Sequence, residues 1–208
     1  MNTVYGRASS MNVQAVMWGA AELGLDVDRI DAGFGFGGTD TPDYRAMNPN
    51  GLVPAFRDEH VTMFESAAIL RYLAARYGHA PFWPQDPIAR APVDTWAEWG
   101  KTTLQANFLA AIFHPALRGL PIDEKGGALF ETHLDILEAK LGAGPWVLGA
   151  DFTFADIEAG VSLYRYYTLD IERRQRPTLA PSSPRPPPRP PFAGHVMIDY
   201  SALRAMGR

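Results

Sequence analysis

The chain has 208 residues, 47% of them hydrophobic and 20% charged, and its 19 Lys and Arg against 23 Asp and Glu give a net charge of −4. This length provides enough apolar residues for one large or two small cores, and without a basic tract we expect no nucleic-acid or membrane-surface partner. No apolar stretch reaches the ~18 residues of a membrane-spanning helix and no secretory leader pattern opens the sequence, so a cytoplasmic location is expected.

Cysteine is absent from the sequence. This excludes disulfides, thiolate metal sites and a cysteine nucleophile, so any thiol chemistry must use the thiol of another molecule. The histidines do not occur at the H-x-x-x-H spacing of a local zinc site, and we therefore expect no metal.

Residues 1–79 alternate between strand and helix patterns. TVYG (3–6) predicts a strand, and the apolar spacing that follows predicts a helix that stops at Gly24. LDVDRIDA (25–32) predicts a second strand, parallel to the first, and a loop follows it. VPAFRD (53–58) and VTMF (61–64) predict a pair of strands before another helix. The predicted order is β-α-β, loop, β-β-α.

Four prolines between residues 81 and 92 predict a linker over 80–92, because proline interrupts helices. Beyond it, over 93–208, apolar residues recur at helical spacing, which predicts an all-α helical bundle. Thr153 and Asp156 predict a capping box at the start of one of its helices. Seven prolines over 180–191 predict an irregular, non-helical segment.

Several motifs allow two interpretations when each is taken alone. GFGFGG (33–38) has the spacing of a dinucleotide-binding loop, but Pro42 follows where the phosphate-binding helix should run, so a flexible loop is favoured. The polar residues Ser9, Ser10 and Asn12 lie at one predicted helix start, and Glu65 and Ser66 at another. Such residues either cap a helix or bind an anion there.

Four segments together resemble the glutathione S-transferase superfamily, most closely its bacterial members. They are YGRASSMNVQAV, NPNGLVPAF, ESAAILRYLAARYG and FTFADI, and they occur in the family's order over nearly the whole chain. The resemblance implies a thioredoxin-like N-terminal α/β domain followed by the all-α helical-bundle C-terminal domain. It also implies a homodimer that uses glutathione as co-substrate.

The resemblance implies a catalytic group at the start of the first helix. Ser10 is expected to contact the glutathione sulfur, with Asn12 and Arg7 nearby. Whether Ser10, Asn12 or a backbone amide is the main sulfur contact is left open.

The resemblance also implies the residues that bind the rest of glutathione. Val53 is expected to pair its backbone with the cysteinyl part, beside a cis Pro54, while Glu65 and Ser66 hold the γ-glutamyl end. Leu52 occupies the place at which many relatives have a lysine that meets the glycine carboxylate. The residue that binds this carboxylate therefore stays open.

The activity implied is conjugation of the glutathione thiolate to small, largely apolar electrophiles. Phe108, Phe113 and Tyr164 are the candidate lining of an electrophile pocket expected between the domains, with packing in the core as the alternative for these rings. Two other functions stay open, a glutathione-dependent isomerase or peroxidase and a non-catalytic binding or interaction protein. The sequence does not choose the electrophile.

The proline-rich segment departs from the family pattern. Leu179, Arg189, Pro190 and Phe192 match the relatives' L-x-x-W-x-x-x-L-x-x-R-P-x-F, but Ser182 and Pro186 replace the tryptophan and the second leucine, at positions 182 and 186. Preserved length with altered composition suggests a local reading-frame slip in the gene or its reported sequence, and ordinary divergence is the alternative.

Overall fold

Strands and helices alternate at the start of the chain in the computed structural model, which describes residues 1–142, 144–180 and 188–205. The strands are β1 (Asn2–Tyr5), β2 (Val27–Ile30), β3 (Ala55–Arg57) and β4 (Thr62–Phe64). The helices among them are α1 (Met11–Glu22), α2 (Pro42–Met47) and α3 (Ser66–Tyr77). The predicted strands and the two predicted helices are confirmed.

The four strands form one sheet in the order β2-β1-β3-β4. The β1–β2 pair is parallel, and the β1–β3 and β3–β4 pairs are antiparallel. Tyr5 pairs with Ile30 and Ala55, and Ala55 pairs with Phe64, so these four residues lie in one row across the sheet. We call the margin just beyond this row the site edge, because the chain leaves or enters every strand there.

Helix α1 ends as the sequence predicts. The N–H of Gly24 donates to the carbonyl of Ala21, and the N–H of Leu25 donates to the carbonyl of Ala20, each at 3.0 Å. This is the Schellman arrangement, which requires a left-handed residue after the helix, and Gly24 has φ +69°.

The predicted loop between β2 and β3 contains a helix, α2, that the sequence interpretation missed. Thr41 caps it, because its hydroxyl accepts a hydrogen bond from the N–H of Tyr44 at 3.3 Å. Pro42 occupies the first helical position, where a missing N–H costs nothing. The proline that argued against a helix in this segment is therefore its first residue.

The β3–β4 hairpin is fastened by a buried carboxylate, Asp58. It accepts hydrogen bonds from the N–H groups of His60 and Val61, from the hydroxyl of Tyr72 at 2.6 Å and from Arg76. Burial acts to raise the pKa of Asp58, but these hydrogen bonds and the Arg76 charge outweigh it and lower the pKa to about 2. The ionised form of Asp58 thus stabilises the hairpin.

The elements formed by the described residues after α3 are helices. They are α4 (Pro87–Trp99), α5 (His114–Leu117), α6 (Glu124–Leu141), α7 (Ala155–Thr168), α8 (Pro190–His195) and α9 (Ala202–Ala205). Between α4 and α5 the helical backbone continues through two wider π-helical stretches, Gly100–Gln105 and Phe108–Phe113. None of the helices formed by the described residues combines the length and the apolar character that crossing a membrane requires.

Helix α4 begins within the segment 80–92 for which the sequence predicted a linker. Asp86 caps it by accepting a hydrogen bond from the N–H of Ala89 at 2.9 Å, and Pro87 is the first helical residue. Pro92 lies inside the helix and removes one internal hydrogen bond. The expectation that this proline-rich stretch is non-helical is wrong from Pro87 onward, because a proline fits the first turn.

The chain divides into two compact units. The first comprises Met1–Gly78 with Pro190–Ile198, and the second comprises the described residues from His79 to Arg189 with those from Asp199 onward. Within the first unit, Phe192 of α8 packs edge-on against Trp18 of α1, with ring centroids 4.8 Å apart. The domain limits 1–79, 80–92 and 93–208 stay a prediction.

The predicted irregular segment 180–191 is only partly covered by the described residues. Residues 181–187 lie outside them. Pro190 and Pro191, which the sequence placed in this segment, form the first turn of α8, so for these two residues the prediction is wrong. Prolines at the first helical positions are again compatible with a helix start.

Two buried ionic groups organise the second unit. The Asp156 carboxylate accepts hydrogen bonds from the N–H groups of Val147 at 2.7 Å and Thr153 at 2.8 Å, which joins the start of α7 to the preceding loop. The Thr153 hydroxyl donates to Asp156 rather than accepting from the helix, so only half of the predicted capping box forms.

The second buried group is Arg176, whose side chain is 0% exposed. It binds three carboxylates of α6, those of Glu131 at 2.8 Å, Asp135 at 2.6 Å and Glu138 at 2.9 Å. These contacts raise the pKa of Arg176 despite its burial and hold the segment after α7 against α6.

Candidate functional site

The first part of the site is the turn between β1 and α1. The N–H of Gly6 donates to the carbonyl of Ile30 at 2.8 Å and that of Arg7 to Ala32 at 3.1 Å, so the turn stays attached to β2 beyond the site edge. A Cβ at Gly6 would lie 2.5 Å from Cγ2 of Val13 and 3.1 Å from Cβ of Val53. Glycine is therefore required where this turn meets Val53.

Ser10 occupies the N-cap of α1. Its carbonyl accepts a hydrogen bond from the N–H of Gln14 at 2.8 Å, but its hydroxyl makes no capping hydrogen bond to the helix. Ser10 is 7% exposed, and Asn12 lies in the first turn that follows. A hydroxyl that does not cap its own helix is available to an external partner at the positive end of the helix dipole.

The second part of the site is the segment before β3. The carbonyl of Leu52 accepts hydrogen bonds from the Tyr44 hydroxyl at 2.8 Å and from the side-chain amide of Asn48 at 2.7 Å. Burial raises the pKa of Tyr44 to about 12, which keeps this donor protonated. These two residues, which the sequence interpretation did not identify, fix the backbone that leads to Val53.

The Val53–Pro54 peptide bond is cis, as the resemblance implied. Within the part of the chain that the structure describes, the N–H and the carbonyl of Val53 take part in no backbone hydrogen bond. The side chain of Leu52 is 66% exposed and carries no charge. The backbone of Val53 is thus an unpaired strand-like segment at the site edge.

The third part of the site is the start of α3. Glu65 precedes the helix with φ +68°, a left-handed conformation that is unfavourable for a residue other than glycine, and Ser66 is 2% exposed. Because Phe64 pairs with Ala55, Glu65 lies at the site edge beside Pro54. Strained backbone of this kind persists where the surrounding structure fixes it, often at functional sites.

The sheet register therefore brings the three predicted segments together. Arg7 follows β1, Val53 and Pro54 precede β3, and Glu65 follows β4, all at the site edge. Ser10 lies at the end of the turn that contains Arg7. The structure places all the predicted glutathione-site residues in the first unit.

The predicted electrophile residues lie in the second unit. Phe108 is 0% exposed and packs between Phe113, Phe130 and Tyr166, with ring centroids 5.4 to 6.2 Å apart, so its ring belongs to the helical core. Phe113 is also buried, at 5% exposed, and Tyr164 is partly exposed. The part of the chain that the structure describes has no group of three or more His, Asp or Glu side chains able to hold a metal ion.

A four-stranded sheet with one parallel pair, followed by an all-helical unit, is the architecture of the glutathione S-transferases. The family model of the glutathione S-transferase N-terminal domain matches residues 2–75, and that of the C-terminal domain matches residues 110–205. The chain belongs to the glutathione S-transferase family.

The similarity to individual relatives covers from about half to nearly all of the chain. The chain is 34% identical to glutathione S-transferase GstB of Escherichia coli strain K12, over 97% of this chain and 100% of that protein. It is 36% identical to human glutathione S-transferase theta-1 over 56% of this chain and 52% of that protein. The crystal structure of a theta-class enzyme from Xanthomonas axonopodis pv. citri with glutathione bound shares 35% identity, with a TM-score of 0.83 over 95% of this chain and 98% of that one.

Proposed function

We propose that this protein is a glutathione transferase that joins the thiolate of glutathione to small, largely apolar electrophiles. The observation that carries the proposal is the convergence of Ser10, Val53 and Glu65 at one edge of the sheet. Its full-length similarity to GstB and to a theta-class enzyme solved with glutathione supports it.

Glutathione is proposed to bind along the site edge, against the backbone of Val53. The unpaired N–H and carbonyl of Val53 exchange hydrogen bonds with its cysteinyl part. Ser66, at the first position of α3, and Glu65, immediately before it, bind the γ-glutamyl end. The helix N–H groups donate hydrogen bonds to its carboxylate, and the Glu65 carboxylate accepts a hydrogen bond from its ammonium group.

Ser10 is proposed to donate its hydroxyl hydrogen bond to the glutathione sulfur. An ordinary thiol with a pKa of about 8.5 is only ~3% thiolate at pH 7, so the site has to favour the anion. The uncommitted Ser10 hydroxyl and the positive end of the α1 dipole favour it, with Asn12 in the first turn of the same helix.

The overall chemistry with a halide electrophile is a nucleophilic substitution. The thiolate attacks the electrophilic carbon, a carbon–sulfur bond forms, and the leaving group departs with the electron pair of the bond that breaks. Lowering the thiol pKa by two units raises the thiolate fraction about 25-fold, but a Brønsted slope of ~0.4 to 0.5 removes about 6- to 10-fold in nucleophilicity. Most of the acceleration must therefore come from orienting the electrophile.

The finer assignments are proposals as well. Phe113 and Tyr164 remain the candidate lining of the electrophile pocket, with Phe108 supporting Phe113 from the core.

The protein is proposed to act in the cytoplasm and as a homodimer, since closed twofold symmetry is the commonest assembly. Light scattering is expected to give twice the 22.9 kDa of one chain, and a monomer mass at micromolar concentration would contradict the dimer.

The test is turnover with glutathione and 1-chloro-2,4-dinitrobenzene, in which the thioether appears as chloride is released. S-methylglutathione is the control, because it occupies the same site without a nucleophilic sulfur. We expect the thioether to form with glutathione and not with S-methylglutathione. Tight binding of glutathione without product from any of a panel of aryl halides, epoxides and enones would favour a binding protein instead.

A further inference from the structure

The glycine-rich segment Gly33–Gly38, defined here as the glycine loop, has a specific structure. The N–H of Gly33 donates to the carbonyl of Gly37 at 2.7 Å, and the N–H of Gly37 donates back to the carbonyl of Phe34 at 3.0 Å. Phe34 has φ +56°, a left-handed conformation that is unfavourable for a bulky side chain. The loop thus fixes the backbone at Phe34, whose side chain is 50% exposed.

The ring of Phe34 contacts the guanidinium group of Arg7. The guanidinium carbon of Arg7 lies 4.7 Å from the ring centroid, within the range of a cation–π contact. The neighbouring Phe36, 62% exposed, does not take part in this contact. Phe34 therefore fixes the direction in which the Arg7 side chain extends.

The charge of Arg7 lacks an acidic partner. Its Nε is buried without a hydrogen-bond partner, and no carboxylate among the described residues forms an ion pair with Arg7. The nearby Asp31 is paired with Arg29 at 2.5 Å. A half-buried guanidinium without a counterion is suited to an external anion.

The glycine loop lies against both Val53 and Arg7. A Cβ on Gly33 would lie 3.1 Å from Cγ1 of Val53 and 3.5 Å from Nη1 of Arg7. In the sheet, β1 and β2 lie on one side of β3, and β4, which leads to Glu65, lies on the other. The two charged groups that flank Val53 are therefore on opposite sides of it.

We infer that Arg7, held by Phe34, binds the carboxylate at the glycine end of glutathione. The inference rests on the proposed function. A tripeptide that pairs with Val53 and places its γ-glutamyl end at Glu65 extends its glycine end toward Arg7. Phe34 is then a positioning residue that acts through Arg7. Leu52 is exposed but apolar and has no charge with which to bind this carboxylate, so Arg7 binds it.

The test compares two ligands that differ only at this carboxylate, namely glutathione and its glycine monoethyl ester. Their dissociation constants are measured by calorimetry for the wild type and for Arg7→Gln, Arg7→Lys, Phe34→Leu and Phe36→Leu, each first checked for an unchanged melting profile. A charged hydrogen-bonded pair predicts that the wild type prefers glutathione over the ester by about ten- to hundredfold. Arg45→Gln tests the alternative cation, which donates to the carbonyl of Pro49.

Each variant has a definite expected outcome. Arg7→Gln should reduce the preference to about twofold or less while the affinity for the ester hardly changes, and Arg7→Lys should restore part of it. Phe34→Leu should lower the preference by about threefold, and Phe36→Leu, the matched control in the same loop, should leave it unchanged.

Two results would overturn the inference alone. One is wild-type binding of glutathione with the full preference retained in Arg7→Gln, and the other is loss of the preference in Arg45→Gln only. Wild-type protein that binds neither ligand would overturn the proposed function, and the inference with it.

Discussion

Replacement of Ser10 by alanine should raise the pKa of the glutathione thiol in the complex. A hydroxyl that donates to a thiolate makes a charge-assisted hydrogen bond worth about 1.5 to 3 kcal/mol. One pKa unit corresponds to about 1.4 kcal/mol, so Ser10→Ala should raise the bound thiol pKa by about one to two units.

The structure predicts that this substitution hardly affects folding. Loss of a capping side chain usually costs about 0.5 to 2 kcal/mol, but the Ser10 hydroxyl makes no capping hydrogen bond to α1. The free energy of unfolding should therefore change by less than about 1 kcal/mol, and the melting temperature by less than about 4 °C. A change in chemistry can then be assigned to the site.

The thiol pKa is a sharper readout than turnover. If the pKa rises by two units, the thiolate fraction at pH 7 falls about 25-fold, while the remaining thiolate becomes about 6- to 10-fold more nucleophilic. The two effects nearly cancel, and turnover should fall only roughly threefold through acidity alone. Measurement of the rate by itself would understate the role of Ser10.

The assay is titration of bound glutathione by its ultraviolet thiolate absorbance, in the wild type, Ser10→Ala and Ser9→Ala. Ser9 is the matched control, since it lies one residue before the N-cap and has the same chemistry. The pKa of the bound glutathione thiol should be raised in Ser10→Ala and should keep its wild-type value in Ser9→Ala. Equal pKa values in the two variants would refute the assignment of residue 10 to the sulfur.

Three further predictions concern stability. Asp156→Ala leaves two buried N–H groups without partners and should cost about 2 to 5 kcal/mol in chemical denaturation, whereas Thr153→Ala should cost about 1 kcal/mol or less. Arg176→Met removes the cation of a buried ion cluster, and the carboxylates left behind can return to water. The expected loss in the free energy of unfolding is about 3 kcal/mol, which lowers the melting temperature by roughly 6 to 12 °C. Because the folded pKa of Asp58 is depressed to about 2, about 2 kcal/mol of stability present above pH 4 should be lost as the pH falls from 4 to 2, and Asp58→Asn should remove this dependence.

Each of these predictions has an outcome that contradicts it. Equal losses in the Thr153 and Asp156 variants would mean that the carboxylate does not join the loop to α7. An Arg176→Met protein as stable as the wild type would show that the cluster only balances its own desolvation. An unchanged acid profile in Asp58→Asn would remove Asp58 as the source of acid sensitivity.

Local signals account for the parts of the fold that were predicted from the sequence. The start of α1 and its end at Gly24 follow from residues within a few positions of each other, and so do the strands at TVYG and VTMF. The three binding segments were found individually for the same reason. Their meeting at one edge depends on the register of β1, β3 and β4. This register is a long-range property that local secondary-structure propensities do not predict.

The errors come from prolines that were taken only as helix breakers. Pro42, Pro87 and Pro190 each occupy the first position of a helix, where the ring fits and no donor is lost. The signals were present in the first two cases, because Thr41 and Asp86 are good N-cap residues. The contact of Arg7 with Phe34 had no such signal, since it joins turns 27 residues apart.

The most direct test of the central claim is calorimetric titration of the protein with reduced glutathione at pH 7, in buffers of different ionisation enthalpy. If the protein binds glutathione as the thiolate, saturable binding should release more than about half a proton per site, because the free thiol is almost fully protonated at this pH. No binding at millimolar glutathione, or binding without proton release, would contradict the account.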